Sequence, residues 1–272
     1  VPYAKIIKTA GVINMRESNG PNALNEQIEG RNPVLEALRA GHEINKIFVL
    51  KAEAIGSLKS ILDLAARKRV PVNFVELAVL DKLATTRNHQ GVIAQAAGWK
   101  YATVDAILEQ AAKRGEAPLI LILDGVEDPQ NLGSIIRTAE AAGAHGIIIP
   151  ERRAAGLSAA VSRASAGAIE YIPVARVTNL SRTIEELKEA GLWFSAAEMT
   201  GKTEFRQADL KGPIGLVIGG EGKGVSRLVA EHCDQIIRLP MWGKVNSLNV
   251  AVAAGIALYE IRRQRATALK MT

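Results

Sequence analysis

Leu119-Ile120-Leu121-Ile122-Leu123-Asp124-Gly125 is apolar at five successive positions and then breaks at a carboxylate and a glycine. A strand without polar alternation is buried on both faces, the condition of a parallel sheet covered by helices. Comparable runs recur at Gly146-Ile147-Ile148-Ile149-Pro150, Ile214-Gly215-Leu216-Val217-Ile218 and Gln235-Ile236-Ile237-Arg238-Leu239. Helical periods fall between them, at about 132–142, 157–166, 181–190 and 225–231. The pattern predicts an open α/β sheet over residues 119–272, in which ligands sit beyond the carboxyl ends of the strands.

Upstream, residues 99–118 hold one amphipathic helix with Val104, Ile107, Leu108 and Ala111 on one face, expected to link two domains. Residues 27–98 alternate on a smaller scale. Asn32-Pro33 suits a helix start followed by Val34, Leu35 and Leu38, and Ile47-Phe48-Val49-Leu50 is a short strand. Helical spacing at Leu58, Ile61, Leu62 and Ala65 precedes a strand at Val72-Asn73-Phe74-Val75, a short helix from Leu77 to Ala84, and a strand at Gly91–Ala96. This is a small α/β domain. Residues 1–26 show no sustained period, and Ser18-Asn19-Gly20-Pro21-Asn22 is turn chemistry, so a flexible arm is expected.

The bulk properties narrow the class. A chain of 272 residues with 48% hydrophobic and 23% charged side chains fits two soluble domains without metal or disulfide staples. Cys233 is the single cysteine, which excludes an intrachain disulfide and suits the cytoplasm. No apolar run approaches the roughly 20 residues that span a bilayer, and Val1-Pro2-Tyr3-Ala4-Lys5 lacks the apolar centre of a signal peptide. The net charge is +6, with +4 carried by residues 1–98 and +2 by the remainder, a balance that favours encounter with a polyanion. His42, His89, His145 and His232 are scattered without zinc spacing, so no metal is expected. A G-x-S-x-G elbow is absent, and Cys233 has no evident partner base.

Three segments at strand ends are candidates for chemistry. In Asp124–Ala139, Leu132, Ile135, Ile136 and Ala139 form a buried helical stripe, with Asn131 at the helix start and Arg137 off the stripe. Asn131 reads equally as an N-cap, and Arg137 as a solvated charge. The second segment, Val217–Ser226, has glycines at 219, 220, 222 and 224 around Glu221. Neither dinucleotide nor P-loop spacing can be threaded through it, and Glu221 would repel a phosphate. Close backbone approach to an uncharged or cationic ligand fits better, with a plain tight turn as the alternative. In the third, Leu239-Pro240 ends a strand and a helix starts near Ser247, small or apolar on nearly every side to Leu258 and so expected to be deeply packed. Ser247 is a natural N-cap and Asn249 a second capping group.

Together these segments resemble the three motifs of the SpoU family of RNA ribose methyltransferases, also called TrmH, within the SPOUT superfamily. The first is N-x-G-x-x-x-R at Asn131, Gly133 and Arg137. The second is G-x-E-G-x-G at Gly219, Glu221, Gly222 and Gly224. The third is a proline followed by S-L-N-V-A-V-A, at Pro240 and Ser247–Ala253. Gly30-Arg31-Asn32-Pro33-Val34 and Asn88-His89-Gln90-Gly91-Val92 resemble the substrate-binding domain that precedes the catalytic domain in many members.

The resemblance implies a deep trefoil knot in the C-terminal methyltransferase domain, a small α/β RNA-binding domain before it, and a homodimer formed through helices beside the site. It implies S-adenosylmethionine as cofactor, held by backbone around Gly219, Leu239 and Leu248. Gly220, Glu221, Gly224, Met241 and Ser247 are then close by, and Ala196-Ala197 lies beside the adenine. The implied reaction is methylation of a ribose 2′-hydroxyl, most like that of the bacterial enzymes acting on a guanosine of 23S rRNA. Another rRNA or tRNA target, or an RNA-binding module without catalysis, is the alternative. The family's base falls on Arg137, yet a guanidinium with pKa above about 12 stays protonated. A role in holding the adjacent phosphate or the developing alkoxide suits it better, with Asn131 and Ser247 positioning it and Glu221 orienting Arg137 or Asn249. RNA contacts are expected from Arg31, Arg87, His89, Arg152, Arg153 and Arg163, each of which reads equally as part of a solvated surface.

Overall fold

The computed structural model describes residues 26–51, 56, 58–86 and 88–270, with side chains through 267. The arm expected at the N-terminus lies outside the described residues, Glu26 aside. Two compact units emerge, and their boundary differs from the linear division at 98 and 118. The smaller contains the described residues up to Lys100 together with Gly156–Tyr171.

In the small unit, a sheet of order β1-β4-β2-β3 is built from β1 (Glu26–Glu29), β2 (Ile44–Leu50), β3 (Val72–Val75) and β4 (Val92–Ala96). Its first three helices are α1 (Arg31–Ala40), α2 (Lys59–Arg67) and α3 (Leu77–Leu83). Val34, Ala37 and Leu38 of α1 and Ile61 and Ala65 of α2 share one core with Ile47, Val49, Val92 and Ala94 of the sheet. The sequence reading starts this domain at its first helix and misses β1, because Glu-Gln-Ile-Glu carries one apolar residue. Pairing along β4, from Ala96 to Ile93, makes it a strand.

The linear reading places residues 156–171 in the larger domain, yet they group with the small one. They contain a short helix at Ala159–Ala164 and a 3₁₀ turn at Ala168–Glu170. Glu170 accepts from Trp99 Nε1 at 2.7 Å and meets His42 Nδ1 at 3.0 Å, while His42 Nε2 reaches the Ala97 carbonyl at 2.8 Å. Gly167, at φ +88°, lies so close to α1 that a Cβ there would stand 2.5 Å from the Cβ of Glu36.

The large unit carries a seven-stranded parallel sheet of order β7-β6-β5-β10-β8-β11-β9. Its strands are β5 (Leu119–Asp124), β6 (Gly146–Pro150), β7 (Val174–Val177), β8 (Trp193–Ala197), β9 (Thr203–Glu204), β10 (Ile214–Gly219) and β11 (Gln235–Arg238). With the Ala159–Ala164 helix counted as α6, the helices here are α4 (Val104–Arg114), α5 (Pro129–Ala141), α7 (Leu180–Glu189), α8 (Arg227–His232) and α9 (Val250–Lys270). After β5 the sheet grows through β6 and β7 on one side, and the other half begins with β10. β5 and β10 therefore flank the switch point, with Asp124 in register with Gly219.

Three local expectations need correction. The helix read as a linker belongs to the large unit, where Val104, Ile107 and Leu108 share a core with Ile120, Ile148 and Leu187. Asp128, not Asn131, caps α5, its Oδ1 accepting from Gln130 N at 3.1 Å with Pro129 in the first turn. Asn249, not Ser247, heads α9: its Oδ1 accepts from Ala251 N at 3.0 Å and Val252 N at 3.3 Å. Nor is α9 deeply packed on every side. Val252, Ile256 and Tyr259 form an exposed stripe, while Ala254, Ala257, Leu258 and Ile261 are buried. Strands β7 and β8 escape the sequence reading because Val-Ala-Arg-Val and Trp-Phe-Ser-Ala-Ala are short and mix polar with small residues.

The His42–Glu170 contact makes the small unit's stability depend on pH. Burial opposes protonation of His42, but its bonds to Glu170 and the Ala97 carbonyl and the charges of Glu170 and Glu43 outweigh burial and raise its pKa. A raised folded-state value gives stability that is complete below the unfolded value, about 6.5, and lost as pH rises through the folded one. The difference in thermal midpoint between the wild type and His42→Gln should therefore be greatest in mild acid and shrink towards alkaline pH. A difference independent of pH would show that His42 contributes only by packing.

Candidate active site

The carboxyl ends of β8, β10 and β11 meet at a hollow of about 680 Å³ in the large unit, within the range of ligand pockets. Its shape begins with glycine. A Cβ on Gly219 would lie 1.9 Å from the carbonyl carbon of Gly224, and one on Gly220 would lie 1.9 Å from the carbonyl oxygen of Gly125. The loop thus folds back on itself, with Gly224 N donating to Gly220 O at 3.1 Å, and rests against the turn after β5. Gly224, at φ +64°, takes the left-handed conformation that glycine adopts without strain.

Two carboxylates brace this loop. Asp124, buried at the end of β5, accepts from Ser226 N at 2.7 Å, and Glu198, just past β8, accepts from Val225 N. Successive backbone donors before α8 are satisfied in this way, as buried N–H groups require. Sequence reasoning missed both roles. Asp124 is legible only as a strand terminus, and Glu198 follows a strand that the pattern does not reveal.

The three motif segments meet through side chains. Asn249 Nδ2 donates to Asn131 Oδ1 at 2.9 Å and to Glu221 Oε1 at 3.0 Å, and Asn131 Nδ2 donates to the same Glu221 oxygen at 3.1 Å. Glu221 thereby orients Asn249, one of the two roles expected of it. Ala197, Gly219, Gly220, Glu221, Gly224, Leu239, Met241, Ser247, Leu248 and Asn249 all line the hollow. Ala196 does not: alternation along β8 turns its side chain into the core with Phe194 and Val217. Lining residues not foreseen include Glu198, Met199, Lys223 and Asn246.

A second hollow, of about 500 Å³, shares Gly220, Glu221, Lys223, Gly224 and Val250 with the first and adds Asp128, Asn131 and Arg153. Arg137 is exposed on α5, with no hydrogen bond or ion pair to the described residues, and lines neither hollow. Arg152 is also exposed. Cys233 is no nucleophile: burial, then the charge of Asp234, pushes its thiol up to about 12.

Among the small unit's candidates, His89 has a different job. It is buried, its Nδ1 accepts from Gly91 N at 3.1 Å and its Nε2 faces Asp81 at 3.1 Å, so both ring nitrogens hold the turn before β4. Arg31 donates through Nε to the Gln90 carbonyl at 3.0 Å, and Arg163 is half-buried against Glu29. Arg87 lies outside the described residues.

The lining fits a nucleoside sulfonium. Apolar Leu239, Met241, Leu248 and Ala253 line it with backbone free of side chains at Gly219 and Gly220, and two carboxylates, at 198 and 221, against one cation, Lys223, favour a cation over a phosphate. Among the described residues no cluster of histidine, cysteine or acidic side chains could hold a metal, and no helix is long and apolar enough to cross a membrane.

The chain is similar to known proteins. The SpoU rRNA methylase family profile matches residues 118–259, and the RNA 2′-O ribose methyltransferase substrate-binding profile matches residues 27–102. A Bacillus subtilis (strain 168) protein named for the TrmH family of tRNA/rRNA methyltransferases is 48% identical over 240 residues, covering 88% of this chain and 96% of its own. The AdoMet-bound rRNA methyltransferase from Sinorhizobium meliloti matches with TM-score 0.72 and 30% identity, over 88% of this chain and 87% of its own. A TrmH/SpoU tRNA modifying enzyme of A. aeolicus matches with TM-score 0.52 and 32% identity, over 56% and 78%. The architecture is that of an RNA methyltransferase. The chain belongs to the SpoU (TrmH) family of S-adenosylmethionine-dependent RNA 2′-O-ribose methyltransferases.

The glycine crossing sets a sharp test. Gly220→Ala should abolish S-adenosylmethionine binding measured by calorimetric titration and lower the thermal midpoint, since its Cβ meets backbone that cannot yield. Gly243→Ala, whose Cβ meets nothing within 4 Å, should bind like the wild type. Undiminished binding by the Gly220 variant would mean that the loop is not held against Gly125.

Proposed function

We propose that the chain methylates a guanosine 2′-hydroxyl of 23S rRNA in the cytoplasm, working as a homodimer. The observation that carries an rRNA target is coverage. The Sinorhizobium meliloti rRNA enzyme aligns with 88% of the chain, a share too large to be reached without the small unit, whereas the A. aeolicus tRNA enzyme aligns with 56%. The small unit is the part expected to choose the RNA.

When bound, S-adenosylmethionine supplies an activated methyl group on a sulfonium. Gly219, Gly220 and Gly224 would let backbone approach it, and Leu239, Met241 and Leu248 would supply apolar contact. The hollow beside it, with Asn131 and Arg153 in its wall, receives the target ribose. Asn131 and Asn249 share Glu221, which fixes their carboxamides towards the sugar. Ser247, exposed beside the cofactor hollow, helps to position the reacting groups. Arg137 holds the adjacent phosphate or the developing alkoxide, so alignment and charge stabilisation provide most of the acceleration. Arg31 and Arg152, with Arg87, contribute salt-sensitive phosphate contacts. The trefoil knot of the family accommodates the close passage of the 219–226 loop over the turn at Gly125. The exposed stripe Val252, Ile256 and Tyr259 on α9 supplies the dimer face.

Nucleoside mass spectrometry and ribose-methylation mapping of rRNA, with and without the protein, should show one 2′-O-methylguanosine in 23S rRNA that depends on it. Mapping of the mark to tRNA instead would overturn the target. Arg137→Ala should lower kcat by roughly 10²-fold or more with cofactor affinity retained, the scale of losing one transition-state donor. Near wild-type turnover would remove Arg137 from the reaction. Ile256→Glu should shift the species seen by sedimentation from dimer to monomer; an unchanged dimer would place the interface elsewhere.

A further inference from the structure

The small unit has its own hollow, of about 220 Å³, lined by Gly30, Asn32, Asn88, Gln90 and Arg163 over Glu29. Its floor is rigid. The Glu29 side chain is fully buried and accepts from Thr85 N at 2.6 Å, Thr86 N at 3.2 Å, both threonine hydroxyls and Arg163 Nη1 at 3.3 Å. Burial pushes this carboxyl up, but the bonds from Thr85 and Thr86 and the charge of Arg163 outweigh burial and lower its pKa.

Arg163 spends one nitrogen on this anchor, Nη1 also donating to Thr86 Oγ1 at 3.2 Å. Its Nε and Nη2 make no hydrogen bond with the described residues. Neither do the exposed carboxamides of Asn32 and Asn88, while Gln90 uses its Oε1 on Arg31 N at 3.0 Å and its Nε2 has no partner among the described residues. The hollow therefore combines a fixed guanidinium edge, two amides offering a donor and an acceptor each, and room for one small planar group.

We propose that this hollow receives one unpaired nucleotide of the RNA substrate, its base edge bonded by Asn32 and Asn88 and an acceptor pair of the same nucleotide facing Nε and Nη2 of Arg163. The assignment rests on the RNA methyltransferase reading and adds a recognition site remote in sequence from the reaction motifs. An A-form duplex cannot use such a concave site, because its bases are stacked and its major groove is too deep and narrow for side chains to read. A base splayed from a loop or bulge exposes the edges that carboxamides bond. The guanidinium fork matches paired acceptors, whether on a phosphate or on a base edge. The floor keeps Arg163 in place before RNA arrives, which limits the ordering cost of binding.

Fluorescence anisotropy on the full chain tests this, with a mixed-sequence single-stranded oligoribonucleotide and a duplex of equal length as probes. Asn32→Ala/Asn88→Ala should weaken single-strand binding about tenfold, the loss of two ordinary net hydrogen bonds, and leave duplex binding unchanged. Arg163→Gln should act in the same direction. If that variant unfolds, the double variant still decides, because neither asparagine has an internal partner among the described residues. An abasic nucleotide in the probe should cost the wild type affinity and the double variant none. A methylphosphonate linkage that reproduces the Arg163→Gln loss assigns the acceptor pair to phosphate; no effect of the linkage assigns it to the base. Wild-type affinity in both variants, or equal losses for single strand and duplex, overturns the proposal. Cofactor titration runs alongside: a protein that binds no S-adenosylmethionine yet shows asparagine-dependent single-strand binding fails as a methyltransferase while keeping this site.

Discussion

The large unit depends on two backbone segments passing at a distance that no side chain tolerates. Gly220 lies against the Gly125 carbonyl, and Gly219 lies against the peptide joining Gly224 to Val225. Once the chain turns back this tightly, its N–H groups cannot follow a strand or a helix and must find other acceptors. Asp124 takes Ser226 N and Glu198 takes Val225 N, so carboxylates at the ends of two strands fix a loop between them. Glu221, between the paired glycines, is left exposed at the rim of both hollows.

That placement explains why segments 90 and 118 residues apart meet at one point. Glu221 Oε1 accepts from both Asn131 and Asn249, and Asn249 spends its own oxygen on the first turn of α9. A net hydrogen bond contributes only about 0.5–1.5 kcal/mol, and less where water competes. The triad is therefore a positioning device. Stability comes from the sheet core, where Leu119–Leu123 and Leu216–Val217 are wholly buried. Asn249 also caps α9 through its oxygen, so the triad is tied to the fold at that one helix start.

What the sequence reveals follows from how each feature is encoded. Leu119–Leu123 is legible because burial on both faces leaves no polar residue in the strand. Trp193–Ala197 is equally central but packs beside Gly215, which makes room for the Phe194 ring, and its small residues carry little pattern. Most residues lining the first hollow are legible through motif spacing, and Ala196 is not among them because side chains alternate along its strand. Capping misled twice: Asn131 and Ser247 are good caps by residue type, but Asp128 and Asn249 hold the positions, which frees Asn131 for Glu221. The grouping of residues 156–171 had no local signal. Their helical pattern is the same whichever core they join, and Glu170, Arg163, Gly167 and Tyr171 reveal the choice by their partners.

The arginines also separate by the work that the fold asks of them. Arg163 is tied through one nitrogen to a buried carboxylate, so its direction is set and its remaining donors are presented at low entropic cost. Arg137 has no such tie among the described residues and stands exposed on α5. On the proposed mechanism that freedom is appropriate. A cation already paired with a carboxylate would have to break that pair to meet a phosphate, and the exchange would cancel much of the gain. A cation kept unpaired gains its first close partner only when RNA arrives. On these two proposals, recognition and reaction use the same side-chain chemistry under opposite constraints, one guanidinium fixed beforehand and the other left for the substrate to fix.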